Sequence, residues 1–377
     1  MIYLDNSATT KIDPLVVKEM IPYLKDYYGN PSSLYHYGQQ GRRAIDRSRE
    51  ILSNYIGADI QEVIFTSGGS ESNNLVIRGV SCALKNKGRH IITTQIEHDS
   101  IIDTAKSLNL NGFDITYLKP DKNGFISEKD LEKEIRGDTI LVSIIYANSE
   151  IGTIQNIRSL SDITHSKGIL FHTDAMQATK YLNINVVEIG VDLMTFGAHK
   201  INGPKGVGAL YIKRETPINP IITGGSQEYN MRAGTENVAG IVGFGKAIEI
   251  LSTEKLSRGN KVRKLRDRLE TKLNEMDNIK INSTAKIDNR MPHLTNILFK
   301  NIPSESMLIQ LDLNNIAASS GSACSSLSLE PSHVLKAIGL TDKEAKHSIR
   351  FSLGHENTEE EIDESIKIIK KINENYS

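Results

Sequence analysis

The sequence predicts an α/β protein: a large domain whose mostly parallel sheet lies between helices, joined to a smaller α+β domain. Three observations predict it. Between about residues 60 and 215, short β-type runs alternate with helical patterns. Those runs are apolar almost throughout, the mark of strands covered on both faces. From TENVAGIVGFGKAIEIL the pattern turns helical to about Met276, and a second, shorter mixed series follows. The expected division is residues 15–250 for the large domain, with 1–14 and 251–377 forming the small one.

In chain order, EVIFTS is the first strand of the series and SESNNLVIRGVSCALKN the helix after it. HIITT and the helix HDSIIDTAKSLNL come next, then the strands FDITYL, TILVSIIYA, GILFHTDA, DLMTFGA and GVGALYI. In the small domain NIKINS, TNILFKNI, NNIAASSG and HSIRFSL are strands, and SESMLIQLD and PSHVLKAIG are helices. The closing helix TEEEIDESIKIIKKINEN opens on a Thr N-cap and an acidic first turn.

Composition excludes several functions. The 377 residues carry 45 Lys+Arg against 46 Asp+Glu, a net charge of −1, so no direct nucleic-acid partner is expected. The apolar runs are far shorter than the ~20 residues of a membrane span. MIYLDNSATTKID lacks the pattern of a signal peptide, so no membrane role and a cytoplasmic location are expected. Two cysteines, Cys82 and Cys324, suit a reducing compartment. Cys82, in VIRGVSCAL, reads as a buried small hydrophobe, and Cys324, in AASSGSACSSLSLEPS, as a reactive thiol on a loop. No metal site is expected.

Polar clusters fall at five strand exits: SGGSES, QIEHDS, ANSE, TDAMQ and GAHK. Ligands of open α/β sheets bind at such exits. SGGSESNN offers free N–H groups at a helix start, fit for a phosphate, or simply a helix cap by Ser70. Asp174 could cap its turn, or keep a heterocyclic nitrogen protonated, as pyridoxal phosphate requires. His98 could cap a helix or stack on a planar ring. Lys200 and Lys205 could serve the turn, grip a phosphate or hold a cofactor through the amine. Arg350, in an apolar strand, has the fork that fits a carboxylate.

LDNSATT, GNPSSLYHYG, TSGGSESNN, IEHDS, ANSEIG, TDAMQA, AHKINGPKGVGALY, MRAGTEN, SGSACSS and IRFSLG together resemble the signature segments of the cysteine desulfurases of the nitrogen-fixation and iron–sulfur-cluster type. These are class V aminotransferase-group enzymes with the type I pyridoxal-phosphate fold. The resemblance implies that Lys200 holds pyridoxal 5'-phosphate, that His98 stacks on its ring, and that Asp174 pairs with the ring nitrogen. It implies Gln177 at the phenolic oxygen, and Gly69, Ser70 and His199 at the phosphate, with Thr235 reaching across from the other subunit of a homodimer. Asn148 is implied beside ring and substrate, Arg350 at the substrate carboxylate, and Cys324 as the nucleophile. The implied activity converts L-cysteine to L-alanine and leaves the sulfur on Cys324 as a persulfide. A sulfur-acceptor or scaffold protein receives it, where Cys324 transiently contacts an iron–sulfur cluster; thio-cofactor or tRNA thiolation are other destinations. Rival readings are selenocysteine lyase, another class V reaction on a small amino acid, and a non-catalytic sulfur carrier. Gly197 stands where the family often has Ser, and SGGS where many members show SGAT. The extended tail by which related enzymes bind a scaffold is not expected.

Overall fold

The computed structural model describes residues 1–282, 289–321 and 330–376. Among these residues lie twelve strands, β1 (Ile2–Tyr3), β2 (Val63–Thr66), β3 (His90–Thr94), β4 (Asp114–Leu118), β5 (Thr139–Ser143), β6 (Leu170–Asp174), β7 (Leu193–Gly197), β8 (Gly208–Ile212), β9 (Ile279–Ile281), β10 (Leu294–Phe299), β11 (Ile316–Ala317) and β12 (Ser348–Ser352). Seven of them form one sheet in the order β2-β8-β7-β6-β5-β3-β4. β8 runs antiparallel to both neighbours and the other pairings are parallel, giving the mostly parallel sheet expected.

Adjacent residues of these strands face opposite sides, as the two-residue period of a strand requires. Ile92, Val142, Met194 and Tyr211 enter one apolar cluster, with Ile45 and Leu52 of the His36–Ile56 helix. Ile91, Leu141, Leu193 and Leu210 enter another, with Leu75, Val76 and Val80 of the Gly69–Leu84 helix. Both faces are therefore dry, which explains why the strands lack polar alternation. The helices Pro14–Lys25 and His36–Ile56 were not among the elements read from the sequence.

β12, β10 and β9 form an antiparallel sheet, and β1 pairs in parallel with β11. Their core joins Leu4, Phe299 and Phe351 to Ile362, Ile366 and Ile369 of the closing helix Glu359–Glu374. That helix starts on the Thr358–Glu361 capping box, in line with the expected Thr cap. The helix Val238–Leu273, 36 residues long, belongs to both halves. Its Ile241, Phe244 and Ile248 pack in the first cluster, and its Leu265, Leu269 and Leu273 in the core of the smaller sheet. No helix among the described residues is long and apolar enough to cross a membrane.

Candidate active site

A cavity of about 280 Å³ opens where the carboxyl ends of β3, β5, β6 and β7 meet the smaller sheet. Gly69, Ser70, His98, Asn148, Asp174, Gln177, His199, Lys200 and Arg350 all line it. Nine of the candidate residues, drawn from six segments, thus meet around one cavity.

The turn after β2 enters the Gly69–Leu84 helix through Gly68, whose φ of +149° suits glycine alone. No side chain caps that helix, so the expectation of a cap by Ser70 is not met. Ser70 lies inside the first turn, and with Gly69 it brings the start of the helix, where N–H groups lack helical partners, to the cavity.

Asp174 ends β6 and is 4% exposed. One carboxylate oxygen accepts from Asn73 Nδ2 at 2.8 Å and the other from Met176 N at 2.9 Å. Two residues earlier on the same face, His172 bridges Ser143 Oγ at 2.9 Å and Thr195 Oγ1 at 3.1 Å. Burial pushes its pKa down to about 3, so it backs Asp174 as a neutral ring.

Lys200 closes a short helical turn after β7, and its Nζ donates to the carbonyls of Ser7 at 2.5 Å and Ala8 at 2.7 Å. Gln177 Nε2 donates to the same Ser7 carbonyl at 2.9 Å. The N-terminal segment is thus a strap across the cavity, fixed at its other edge by Ser7 N donating to Ser352 Oγ at 2.8 Å. Lys205 is exposed, which leaves Lys200 as the lysine that faces the site. His199 Nδ1 lies 3.2 Å from Thr9 Oγ1. Burial first, then the charges of Lys200, Lys205 and His98, push its pKa down to about 4, so these surroundings keep the ring neutral.

His98 is the N-cap of the Asp99–Asn109 helix, with its Nδ1 accepting from Ser100 N at 3.1 Å. The capping reading therefore holds, in a residue that also lines the cavity. Asn148 accepts from Glu150 N and Ile151 N and donates to Ile96 O at 2.9 Å, which shapes the turn after β5. Arg350, in the middle of β12, is 2% exposed. It donates to Asp5 Oδ1 at 2.7 Å, Gly321 O at 2.9 Å and Ser149 O at 3.2 Å.

Thr235 is exposed and takes no part in the wall built by this chain. Cys324 lies outside the described residues, which resume beyond it at Glu330. Cys82 is exposed, not buried as its spacing suggested, and Asn219 Nδ2 stands 3.3 Å from its sulfur. Residues 79–81 are buried, and one further step around the helix turns Cys82 outward.

The donor set fits pyridoxal phosphate: a primary amine, a buried carboxylate, a neutral imidazole and an uncapped helix start surround one slot. The cradle is close-fitting. A Cβ at Gly69 would stand 2.8 Å from Met176 Sδ, and one at Gly197 would run into the same side chain. Both departures from the family pattern, Gly69 in SGGS and Gly197, thus border Met176, whose thioether fills the room that larger side chains would take. Sequence reasoning missed Met176 in this role, and also Ser7 and Ala8, Asn73, Asp5 and Glu97.

The family described as Aminotransferase class-V matches residues 2–364. A protein named cysteine desulfurase IscS from Dictyoglomus turgidum is 48% identical over 98% of this chain and 94% of its own length. One of the same name from Methanosarcina thermophila is 44% identical, covering 98% of this chain and 91% of the relative. Among solved structures, a NifS-like protein from Rickettsia africae superposes with a TM-score of 0.90 at 35% identity, covering 99% of each chain. A structure titled SspA in complex with cysteine gives 0.84 at 35% identity, over 95% of this chain and all of that one (100%).

Proposed function

The chain belongs to the aminotransferase class-V family, and from that premise we propose that it is a pyridoxal-phosphate-dependent cysteine desulfurase acting on L-cysteine. The observation that carries this is the convergence of Lys200, Asp174, Gln177, His199 and Arg350 on one cavity. The relatives named cysteine desulfurase and the neighbour solved with cysteine support the substrate.

When bound, pyridoxal phosphate supplies an electron sink for the carbon next to the amino group. Lys200 provides the amine that holds the cofactor and shuttles the Cα proton. Asp174 keeps the ring nitrogen protonated, because a buried carboxylate favours the adjacent cation. Gln177 would donate to the phenolic oxygen. Gly69, Ser70 and His199 would hold the phosphate, with Thr235 reaching it from the second subunit of a homodimer. His98 would cover the ring and take the proton of the Cys324 thiol, and Asn148 would border ring and substrate. Arg350 grips the substrate carboxylate with its fork. The Cys324 thiolate attacks the substrate sulfur. The C–S bond breaks, an S–S bond forms, and Cβ takes a proton, so cysteine and thiol become alanine and persulfide.

The sulfur then passes to an acceptor or scaffold protein, in the cytoplasm, toward iron–sulfur clusters. The division into residues 15–250 and 1–14 with 251–377 is supported by the long helix, whose two halves pack in different cores. Replacing Cys324 by Ser tests the reaction. The variant keeps the cofactor absorbance and its response to L-cysteine but releases no alanine and carries no persulfide by mass spectrometry. Alanine release at the parent rate would show that the sulfur acceptor lies elsewhere.

A further inference from the structure

Glu97 lines the same cavity, and the reaction above gives it no task. It follows β3 directly before His98 and is 1% exposed. One oxygen, Oε1, accepts from Thr94 Oγ1 at 2.7 Å and from Ile145 N at 2.8 Å. Thr94 is the last residue of β3, and Ile145 stands two residues beyond β5. The carboxyl therefore ties two neighbouring strand exits together. Its own backbone carbonyl accepts from His333 Nε2 at 2.9 Å, which adds the helix His333–Ala337 to the junction. The second oxygen, Oε2, is buried and has no hydrogen-bond partner among the described residues.

A buried carboxylate with one bare oxygen is a costly state, and a carboxylic acid in the same place is a cheaper one. The charged neighbours decide the matter further. Around Glu97 stand His98 and Asp99 from its own segment, Glu150 from the turn after β5, Asp174 from β6 and His333 from the small-domain side. Asp174 has an N–H donor on each of its two oxygens, whereas both donors to Glu97 fall on Oε1 and leave Oε2 without one among the described residues. When two carboxyls share a shielded wall, the better-solvated one keeps the charge and the other keeps the proton.

We propose that Glu97 is a positioning residue, a neutral carboxyl pin that holds the exits of β3 and β5 together so that His98 and Asn148 face one cavity, while Asp174 carries the charge at the end of β6. This rests on the reading of the cavity as a cofactor site. Burial, and secondarily Asp174, push the Glu97 pKa up to about 8 against the hydrogen bonds from Ile145 and Thr94, which agrees with the geometry. The sign follows from linkage. The folded state holds the proton more tightly than the unfolded chain, so the Glu97 contribution to stability is complete in acid below the ordinary carboxyl range. It drains away as pH rises to about 8 and is level above that.

The test compares parent holoenzyme with Glu97→Gln and Glu97→Ala. Glutamine keeps an acceptor oxygen for Thr94 and Ile145 and stays neutral, so it keeps the cofactor absorbance and the parent kcat. Alanine removes the pin and lowers kcat by about tenfold or more. Difference infrared spectra of the parent show a protonated-carboxyl band at neutral pH that Glu97→Gln lacks and that titrates away near pH 8. Between pH 6 and 8 the folding constant of the parent falls relative to Glu97→Gln by about tenfold per pH unit. Overturning results are a Glu97→Gln protein that misfolds, loses cofactor or is as impaired as Glu97→Ala, an unimpaired Glu97→Ala, or the absence of the titrating band. The infrared and stability readings need no turnover, so they answer separately from whether L-cysteine is the substrate.

Discussion

The seven-stranded sheet delivers its side chains to the cavity end-on, from the ends of β6 and the turns after β3, β5 and β7, whereas the three-stranded sheet delivers Arg350 side-on from the middle of β12. Asp174 and His98 of the end-on groups make short local contacts, to Met176 N and Ser100 N, while Lys200 and Gln177 lean on the carbonyls of the N-terminal segment. Arg350 is held by ladder register, opposite Asn296 in β10, and by partners distant in sequence, Asp5, Ser149 and Gly321. The contrast teaches that the two walls can be perturbed separately. Under the proposed function, one would hold the cofactor from turns at strand ends, and the other would hold the substrate through a strand whose neighbours are fixed by the sheet.

The largest effect is expected on the end-on wall. Asp174→Asn keeps an acceptor for Met176 N but removes the buried charge, and kcat falls on the order of 10²–10³-fold while the cofactor stays bound. Steady-state kinetics with absorbance of the bound cofactor checks this; a kcat near the parent's would erase the distinction between the walls. The side-on wall should answer in KM. Arg350→Lys loses the fork and raises KM for L-cysteine by roughly 10–100-fold with a smaller change in kcat. A kcat loss as deep as that of Asp174→Asn would show that Arg350 also serves the cofactor.

The smallest effect concerns the packing behind the end-on wall. Gly197→Ser forces the Met176 side chain to move and destabilises by about 1–3 kcal/mol, the usual cost of overpacking. Adding Met176→Ala to Gly197→Ser restores stability, because the new side chain occupies the room the thioether leaves. Denaturation midpoints of the two single variants and the double variant measure the coupling. Simple additivity would mean that Met176 and Gly197 do not share that space.

The end-on wall was legible in the sequence because an apolar strand that stops on a polar cluster announces both the strand end and the ligand side of the sheet. Each of the five clusters stands where that logic puts it, at the cavity. What could not be read acts through the backbone or through tertiary packing. Ser7 and Ala8 hold Lys200 by their carbonyls, which every residue type possesses. Asn73 and Asp5 look like ordinary polar residues until Asp174 and Arg350 arrive beside them. Glu97 did leave a trace, as an acidic residue at the end of an apolar run. The early helices were missed because Pro22 sits inside the first and Gly38 and Gly41 inside the second, which weakens the helical pattern.

The strap at the N-terminus has a consequence for how the molecule is made. Ile2 pairs with Ile316, Ser7 with Ser352, and the Ser7 carbonyl with Lys200. The strap therefore leaves the ribosome some 345 residues before its anchor Ser352. The loop closures that seat it span nearly the whole chain and come late. Nascent chains lack a finished grip on the lysine, and a fragment stopped before β12 carries every end-on group without the anchor that orders them. Cofactor loading is thus expected to wait for β12, and products truncated before it to remain colourless in absorbance.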